Sequence, residues 1–294
     1  MVSTSTLPQG FSLIKRGRTE LVIRDLYKDR LMEREIHNLE VLSLRQGDKA
    51  QFMEGRGLLV SLPMDGKGPE RMVIRHYEHG GIFRALTRDL FVVGSRPFRE
   101  LILTEMARKA GLPTMEVLIA IKRLVLWPFY KGDLVSKEIP NSADLLQYFT
   151  RWEKAKAQKQ LGEKRELIRQ AGRLVREMHE VGIYHADLQL KNFIVEMGEG
   201  GLGPLHIIDF DRSKVIHPLK SNKWLSNLLR LDRSVEKWRH SGLWITRTDR
   251  LRFLMSYLEG DEERRAFMRT YLRKYIRRRR RYKIGWAIER LLYS

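Results

Sequence analysis

An α+β fold of two lobes, strand-rich first and helical second, follows from three observations on these 294 residues. Between about residues 11 and 140, short apolar runs alternate with Gly- and Pro-bearing turns, the pattern of strands. From about 141 onward, apolar residues recur every three or four positions, the pattern of helices. One helical stretch interrupts the first region, and no internal repeat is present. The expected division is therefore 1–140 and 141–294.

FSLIKRGRTELVIRDLY predicts a hairpin turning at Arg16-Gly17-Arg18. GLLVSLP and ERMVIRHYE are two further strands, joined by the Gly/Pro turn MDGKGP. RPFRELILTEMARKAG places Leu101, Ile102 and Met106 at helical spacing and Gly111 where a C-cap belongs, which makes it the helix of this region. EVLIAIKRLVLWPFY and DLVSKEIP complete the strands, with a turn expected inside the first near Lys122, where charge breaks the apolar run. In the second region NSADLLQYF opens on capping residues. From Arg151 to Val181, Leu167, Ile168, Ala171, Leu174, Val175 and Met178 form one stripe of a long helix that Gly182 ends. Further helices follow Arg212, and the chain closes on a basic helix around RKYIRRRRRYKIGWAIERLL.

Composition narrows the function. Hydrophobic residues make up 43% of the chain, enough for a sizeable core. Lys+Arg number 56 against 36 Asp+Glu, a formal +20, which calls for an anionic partner: nucleic acid, an anionic membrane surface or a phosphorylated substrate. With no cysteine, disulfides, thiolate catalysis and Cys-ligated zinc are excluded. MVSTSTLPQG lacks the basic and apolar regions of a signal peptide. No apolar run reaches the ~18 residues of a membrane span; the richest, MEVLIAIKRLVLWPF, is broken by Lys122 and Arg123. The expectation is a cytoplasmic protein that touches a membrane without crossing it.

The chemistry gathers in YHADLQLKN, residues 184–192, and in LHIIDFDR further on. HADLQLKN has the spacing H-x-D-x-x-x-x-N, the pattern of a kinase catalytic loop. Phosphoryl transfer needs an acid to accept or orient the proton of the attacking hydroxyl, and hard oxygens to hold magnesium. Asp187 suits the first task, and Asn192 with Asp209 the second. Asp209 occupies the place of the aspartate of D-F-G, with Asp211 in place of the glycine. A surface turn would explain H-A-D alone. It would not explain an amphipathic helix, this loop, an apolar strand, a Gly-rich turn and a second strand ending in D-F-D. His185 reads as a brace for the loop.

The nucleotide side is sought upstream. Gly55 and Gly57 in EGRG are candidates for a phosphate-cradling turn. Arg75, in V-I-R, stands where a strand lysine is expected to meet phosphates; a structural strand arginine fits the same position. Glu100 and Glu105 could each pair with it, Glu100 being preferred for its place early in the helix. DLVSKEIP offers backbone groups around Glu138 and Ile139 to an adenine.

GRG, VIRHYEHGG, FRELILTEMARKAGLP, YHADLQLKNFIV and IIDFDR together resemble the 3-deoxy-D-manno-octulosonic acid (Kdo) kinases, grouped with the lipopolysaccharide core heptose kinases. The likeness runs from about residue 50 to 235. It implies a protein-kinase-like fold whose first lobe, 1–140, binds nucleotide and whose second, 141–294, is catalytic. It implies ATP and Mg2+ as cofactors, transfer to the 4-hydroxyl of Kdo on a lipid A precursor, and peripheral work at the cytoplasmic face of the inner membrane. By the same carry-over Asp187 is the base, Asn192 and Asp209 hold magnesium, and Arg75 with Glu100 manages the phosphates.

From Arg273 to Lys283 lie eight Lys/Arg interleaved with Tyr275, Ile276 and Tyr282. Such a segment either docks on anionic lipid or packs on its own lobe. A phosphotransferase for heptose or an aminoglycoside would keep the same acids, although +20 suits a cationic aminoglycoside poorly. No A-P-E segment follows IIDFDR, which disfavours a protein kinase. A nucleic-acid binder would use the basic tail but gives no reason for Asp187, Asn192 and Asp209, and nucleic acid is not the expected partner.

Overall fold

The computed structural model describes residues 7–33, 36, 51–53, 59–64, 68–79, 89–150, 158–198, 201–239, 242–259, 266 and 273. In chain order the elements begin with β1 (Phe11–Arg16), β2 (Thr19–Arg24), α1 (Lys28–Met32), β3 (Gln51–Met53), β4 (Leu59–Pro63) and β5 (Arg71–His76). Next come β6 (Phe91–Val92), α2 (Arg96–Lys109), β7 (Val117–Leu126), β8 (Phe129–Lys137), β9 (Ser142–Asp144) and α3 (Leu145–Thr150). After these follow α4 (Gln158–Glu180), β10 (Ile183–Tyr184), β11 (Phe193–Gly198) and β12 (Gly201–Ile207). The last are β13 (Lys214–Val215), α5 (Ser221–Trp238) and α6 (Arg247–Tyr257). Two compact units arise, one drawn from Met1–Ala143, His185–Asp187 and Asn192–Val215, the other from Asp144–Tyr184, Leu188–Lys191 and Ile216–Ser294.

The strand-rich unit is an antiparallel sheet in the order β1-β2-β7-β8-β5-β4-β3, with β6 also paired to β8. Because side chains alternate between faces, each strand feeds two layers. Leu21, Ile23, Ile74, Ile119 and Ile121 join Leu31 and Ile36 in one core. Val22, Tyr77, Ala120 and Leu134 meet Phe98 and Leu101 of α2 in another. Covered on both faces, β7 can read V-L-I-A-I without alternation.

The Ser95 hydroxyl accepts from the Phe98 N–H at the start of α2, and Pro97 lies in its first turn. Gly111 takes φ +86 just past its end, a left-handed position that glycine adopts without a Cβ penalty. The helix stands where its spacing predicted; Leu101 is buried, Ile102 and Met106 are half-buried, and the buried face also includes Glu100 and Glu105. Those carboxylates are drawn inward by arginines on the sheet.

The turn expected near Lys122 is corrected. β7 runs unbroken through Lys122 to Leu126, and the chain reverses at Trp127-Pro128. Lys122 stays in the strand because Glu20 on β2 answers its charge and its ammonium lies over the Tyr130 ring. Arg123 likewise meets Asp133 on β8.

In the helical unit α4 begins at Gln158; the earlier part of the expected helix, 151–157, lies outside the described residues. All six residues of its anticipated stripe are buried. Gly172 lets α6 approach: a Cβ there would lie 2.5 Å from the Phe253 carbonyl oxygen. Buried His179 contacts the Tyr257 hydroxyl at 2.8 Å and the Asn227 amide oxygen at 3.1 Å.

Candidate active site

The site residues come together within the strand-rich unit. β11 and β12 pair antiparallel, and the Ile208 N–H donates to the Asn192 carbonyl at 2.9 Å, so the ends of these strands bring Asn192 beside the passage into Asp209. His185 ties the loop to the same strand end. Its Nε2 lies 3.1 Å from the Ile208 carbonyl, and its Nδ1 accepts from the Asp187 N–H at 3.1 Å. A carbonyl can only accept and an N–H only donate, so these contacts place the ring proton on Nε2. His185 is fully buried, with its ring tilted against buried Phe210. It acts as the brace its position suggested.

Asn192 closes the loop from the other side. Its Nδ2 donates to the Asp187 carbonyl at 2.8 Å, which leaves Oδ1 as the acceptor end of the amide. Asp187 itself is half-buried. Asp209 adopts φ +66, a left-handed conformation that aspartate tolerates better than most residues.

Arg75 is the centre of the electrostatics. By strand alternation Ile74 faces the first core, while Arg75 and Tyr77 face α2. The Arg75 guanidinium donates to Asp209 Oδ1 at 2.6 Å, to the Tyr77 hydroxyl at 2.9 Å and to Glu100. Tyr77 also donates to Glu100. Glu105, the other candidate, pairs instead with Arg24.

Burial raises Glu100 to about 7, a shift that Arg75 reduces and the Asp209 charge reinforces. Its Oε1 is buried and has no partner among the described residues. Burial acts on Asp209 in the same sense, but Arg75 outweighs it and holds that carboxyl below its ordinary value. Tyr77 is pushed upward by burial and by the Glu100 charge beside it.

Two contributors escaped the sequence reading. Tyr77 completes the Arg75–Glu100 contact. Arg96, in the first turn of α2, grips Asp211 with both ends of its fork, Nε to Oδ1 at 3.1 Å and Nη2 to Oδ2. The R-H-Y string singled out Tyr77 without a role, and nothing local to Arg96 points to a partner so far along the chain.

Of the remaining candidates, Glu138 and Ile139 hydrogen-bond to other residues, and the rest lie outside the described residues. Glu138 accepts from Ser61 and Arg71, and its N–H donates to the Arg71 carbonyl at 2.9 Å. The Ile139 carbonyl accepts from the Ser142 hydroxyl at 2.7 Å. Gly55 and Gly57 lie outside the described residues, as does the basic run apart from Arg273.

Among the described residues no group of three or more His, Asp or Glu is arranged to hold a metal ion. One carboxylate, Asp209, and one amide oxygen, Asn192, are hard donors that fit magnesium sharing its other positions with phosphate and water. They do not make a closed cage.

Comparison with known proteins places this arrangement. The solved WaaP chain from a complex with acyl carrier protein matches with a TM-score of 0.57 at 19% identity, covering 87% of this chain and 98% of that one. The fold is accordingly kinase-like. The 3-deoxy-D-manno-octulosonic acid kinase of Pasteurella multocida (strain Pm70) is 30% identical over 189 residues, 63% of this chain and 73% of the relative. That of Vibrio vulnificus (strain CMCP6) is 32% identical over 171 residues, 56% of this chain and 65% of the relative. The model of the lipopolysaccharide kinase (Kdo/WaaP) family matches residues 42–257. This chain belongs to the lipopolysaccharide kinase (Kdo/WaaP) family.

Proposed function

We propose that this kinase transfers the γ-phosphoryl group of ATP to the 4-hydroxyl of Kdo in the inner core of a lipid A precursor. One observation carries the reading: a single hydrogen-bonded frame joins the Asp187 loop to the strand end bearing Asp209, with Arg75 beside it. The Kdo kinases at 30% and 32% identity support the choice of sugar.

Asp187 accepts or orients the proton of the attacking hydroxyl. Asn192 and Asp209 would hold magnesium, which when bound neutralises charge on the terminal phosphates. Arg75, backed by Glu100 and Tyr77, offers the phosphates a cation with several donors. The adenine meets the Glu138 carbonyl and the Ile139 N–H, since the Glu138 N–H already serves Arg71. Gly55 and Gly57 cradle the phosphates. In this reading 1–140 is the nucleotide-binding lobe and 141–294 the catalytic lobe. The protein works peripherally at the cytoplasmic face of the inner membrane, with its basic run, Arg273 to Lys283, drawn to anionic lipid.

The test is a transfer assay with purified protein, ATP, Mg2+ and Kdo-lipid A, with the product located by mass spectrometry. Asp187→Ala should lower turnover by about 10³-fold, within the usual range for a general base, while circular dichroism and melting stay unchanged. A variant that keeps the parent rate would remove Asp187 from the chemistry. Phosphate found on heptose would move the acceptor and leave the site intact.

A further inference from the structure

The end of the β7–β8 hairpin has the wrong chemistry for a solvent-exposed turn. Turns ordinarily carry Gly, Asn, Asp or Pro among polar neighbours, as the neighbouring Lys15-Arg16-Gly17-Arg18 turn does. Residues 124–129 instead read Leu-Val-Leu-Trp-Pro-Phe. Leu126 is 70% exposed and Trp127 80%, with Leu124, Val125 and Phe129 exposed beside them.

β6 extends the patch. Val92 pairs with Phe129, and the Val93 N–H donates to the Pro128 carbonyl at 3.2 Å. Val92 and Val93 are exposed too. Val93 holds φ +48, a left-handed conformation that a β-branched residue adopts only at a cost. A contiguous exposed apolar patch of this kind marks an interaction surface.

Charge identifies the partner. The Leu124 N–H donates to the Arg18 carbonyl at 2.8 Å and Arg18 Nη1 donates to the Val125 carbonyl at 3.2 Å, so the cationic turn borders the apolar tip. Arg16 and Arg18 are exposed, and among the described residues no carboxylate pairs with either. The acids close by are already taken: Glu20 by Lys15 and Lys122, Asp89 by Lys131, Asp133 by Arg123. An exposed Trp and aliphatic side chains beside arginines that have no carboxylate partner among the described residues match the boundary of an anionic bilayer, where indole and alkyl groups enter and guanidinium groups meet headgroups.

We propose that the β7–β8 tip, centred on Leu126 and Trp127 and flanked by Arg16 and Arg18, inserts into the interface of an anionic lipid bilayer. It takes up the membrane partner of the proposed function but assigns a surface remote in sequence from the basic tail, and it does not depend on catalysis. β8 links this tip to the site, since Leu134 pairs with Arg75.

The test uses the full chain with phosphatidylcholine vesicles, with and without phosphatidylglycerol, in a sedimentation assay. Replacing both Leu126→Ser and Trp127→Ser should weaken binding to the anionic vesicles at least about tenfold, with no fall in melting temperature or in turnover of a soluble acceptor. Arg16→Gln with Arg18→Gln should weaken it roughly fivefold per charge removed and leave the weak binding to neutral vesicles unchanged. Acyl-brominated lipid should quench the parent protein more than Trp127→Phe. Parent-like vesicle binding by the Leu126/Trp127 variant overturns the proposal. So does loss confined to a chain ending before Arg273, which assigns docking to the tail. A tip variant that still binds vesicles but loses self-association in sedimentation velocity also overturns it, in favour of a second copy of this chain.

Discussion

In the helical unit, Lys164 and Asp249 form a buried ion pair at 2.7 Å, with side chains 3% and 6% exposed. Asp249 also accepts from the Thr246 N–H at 2.9 Å, the Thr246 hydroxyl at 2.7 Å and Arg252 at 2.8 Å, while Lys164 lies over the Trp244 ring. Burial pushes Asp249 up, but these partners outweigh it and the carboxyl stays below its ordinary value. In the strand-rich unit Arg75 is divided between Glu100 and Asp209, one Glu100 oxygen lacks a partner among the described residues, and burial prevails at Glu100. The ingredients are alike and the outcomes opposite. The Lys164–Asp249 pair is met by hydrogen bonds and a ring face, and a shortfall around such a buried pair costs stability. The shortfall at Glu100 lies beside Asp209, where the proposed reaction asks a cation to change partners.

The contrast can be broken from the helical side. Lys164→Met leaves Asp249 buried with one cation fewer, and unfolding in urea should show a loss of about 3 kcal/mol. Transfer activity per folded molecule should not change, since Lys164 contacts none of the site residues. A loss below about 1 kcal/mol would mean that Arg252 and Thr246 suffice, and the two clusters would no longer differ in kind.

The same contrast explains what could be read from the amino-acid string. The loop of Asp187 and Asn192 was legible as a local unit, because the residues that close it by hydrogen bonds lie within one short run. Most strands and helices were legible from periodicity. Long-range charge pairing was not. Lys122 and Arg123 looked like a turn because Glu20 and Asp133, which let them stay in β7, sit on other strands. Nothing local reveals that Arg75 and Arg24 draw Glu100 and Glu105 into the buried face of α2. Arg96 and Asp211 lie 115 residues apart in sequence. The Glu100 preference rested on position along α2, and its pairing with Arg75 is seen only in three dimensions.

Titration sharpens the comparison next. Glu100 is raised from 4.5 to about 7, so between those values the folded state keeps a proton that the unfolded state has lost. Stability therefore falls as pH rises through that window and levels off above it. The effect is on the order of 3 kcal/mol. Glu100→Gln should flatten the urea midpoint against pH over this range. Asp209 acts with the opposite sign, but its contribution is lost below its ordinary 3.8, outside the window. An unchanged slope in the variant would mean that Glu100 stays ionised on its arginine and that the two clusters are satisfied alike.

The smallest effect concerns geometry. Arg96 and Glu100 stand one turn apart on α2, the first holding Asp211 and the second holding Arg75, which in turn holds Asp209. The helix thus grips D-F-D at two points. The Arg96 guanidinium also lies 4.6 Å from the Phe91 ring centre and 5.4 Å from that of Tyr77, which fixes the plane of its fork. Arg96→Lys keeps the charge and loses the bidentate grip. Turnover should fall several-fold, a cost of about 1 kcal/mol, with little change in KM for the sugar acceptor. Asp211→Asn should do the same, and the double variant should be no worse than either single one, because both remove one interaction. Additive losses would show that Arg96 and Asp211 act separately, and α2 would then hold the site through Glu100 alone.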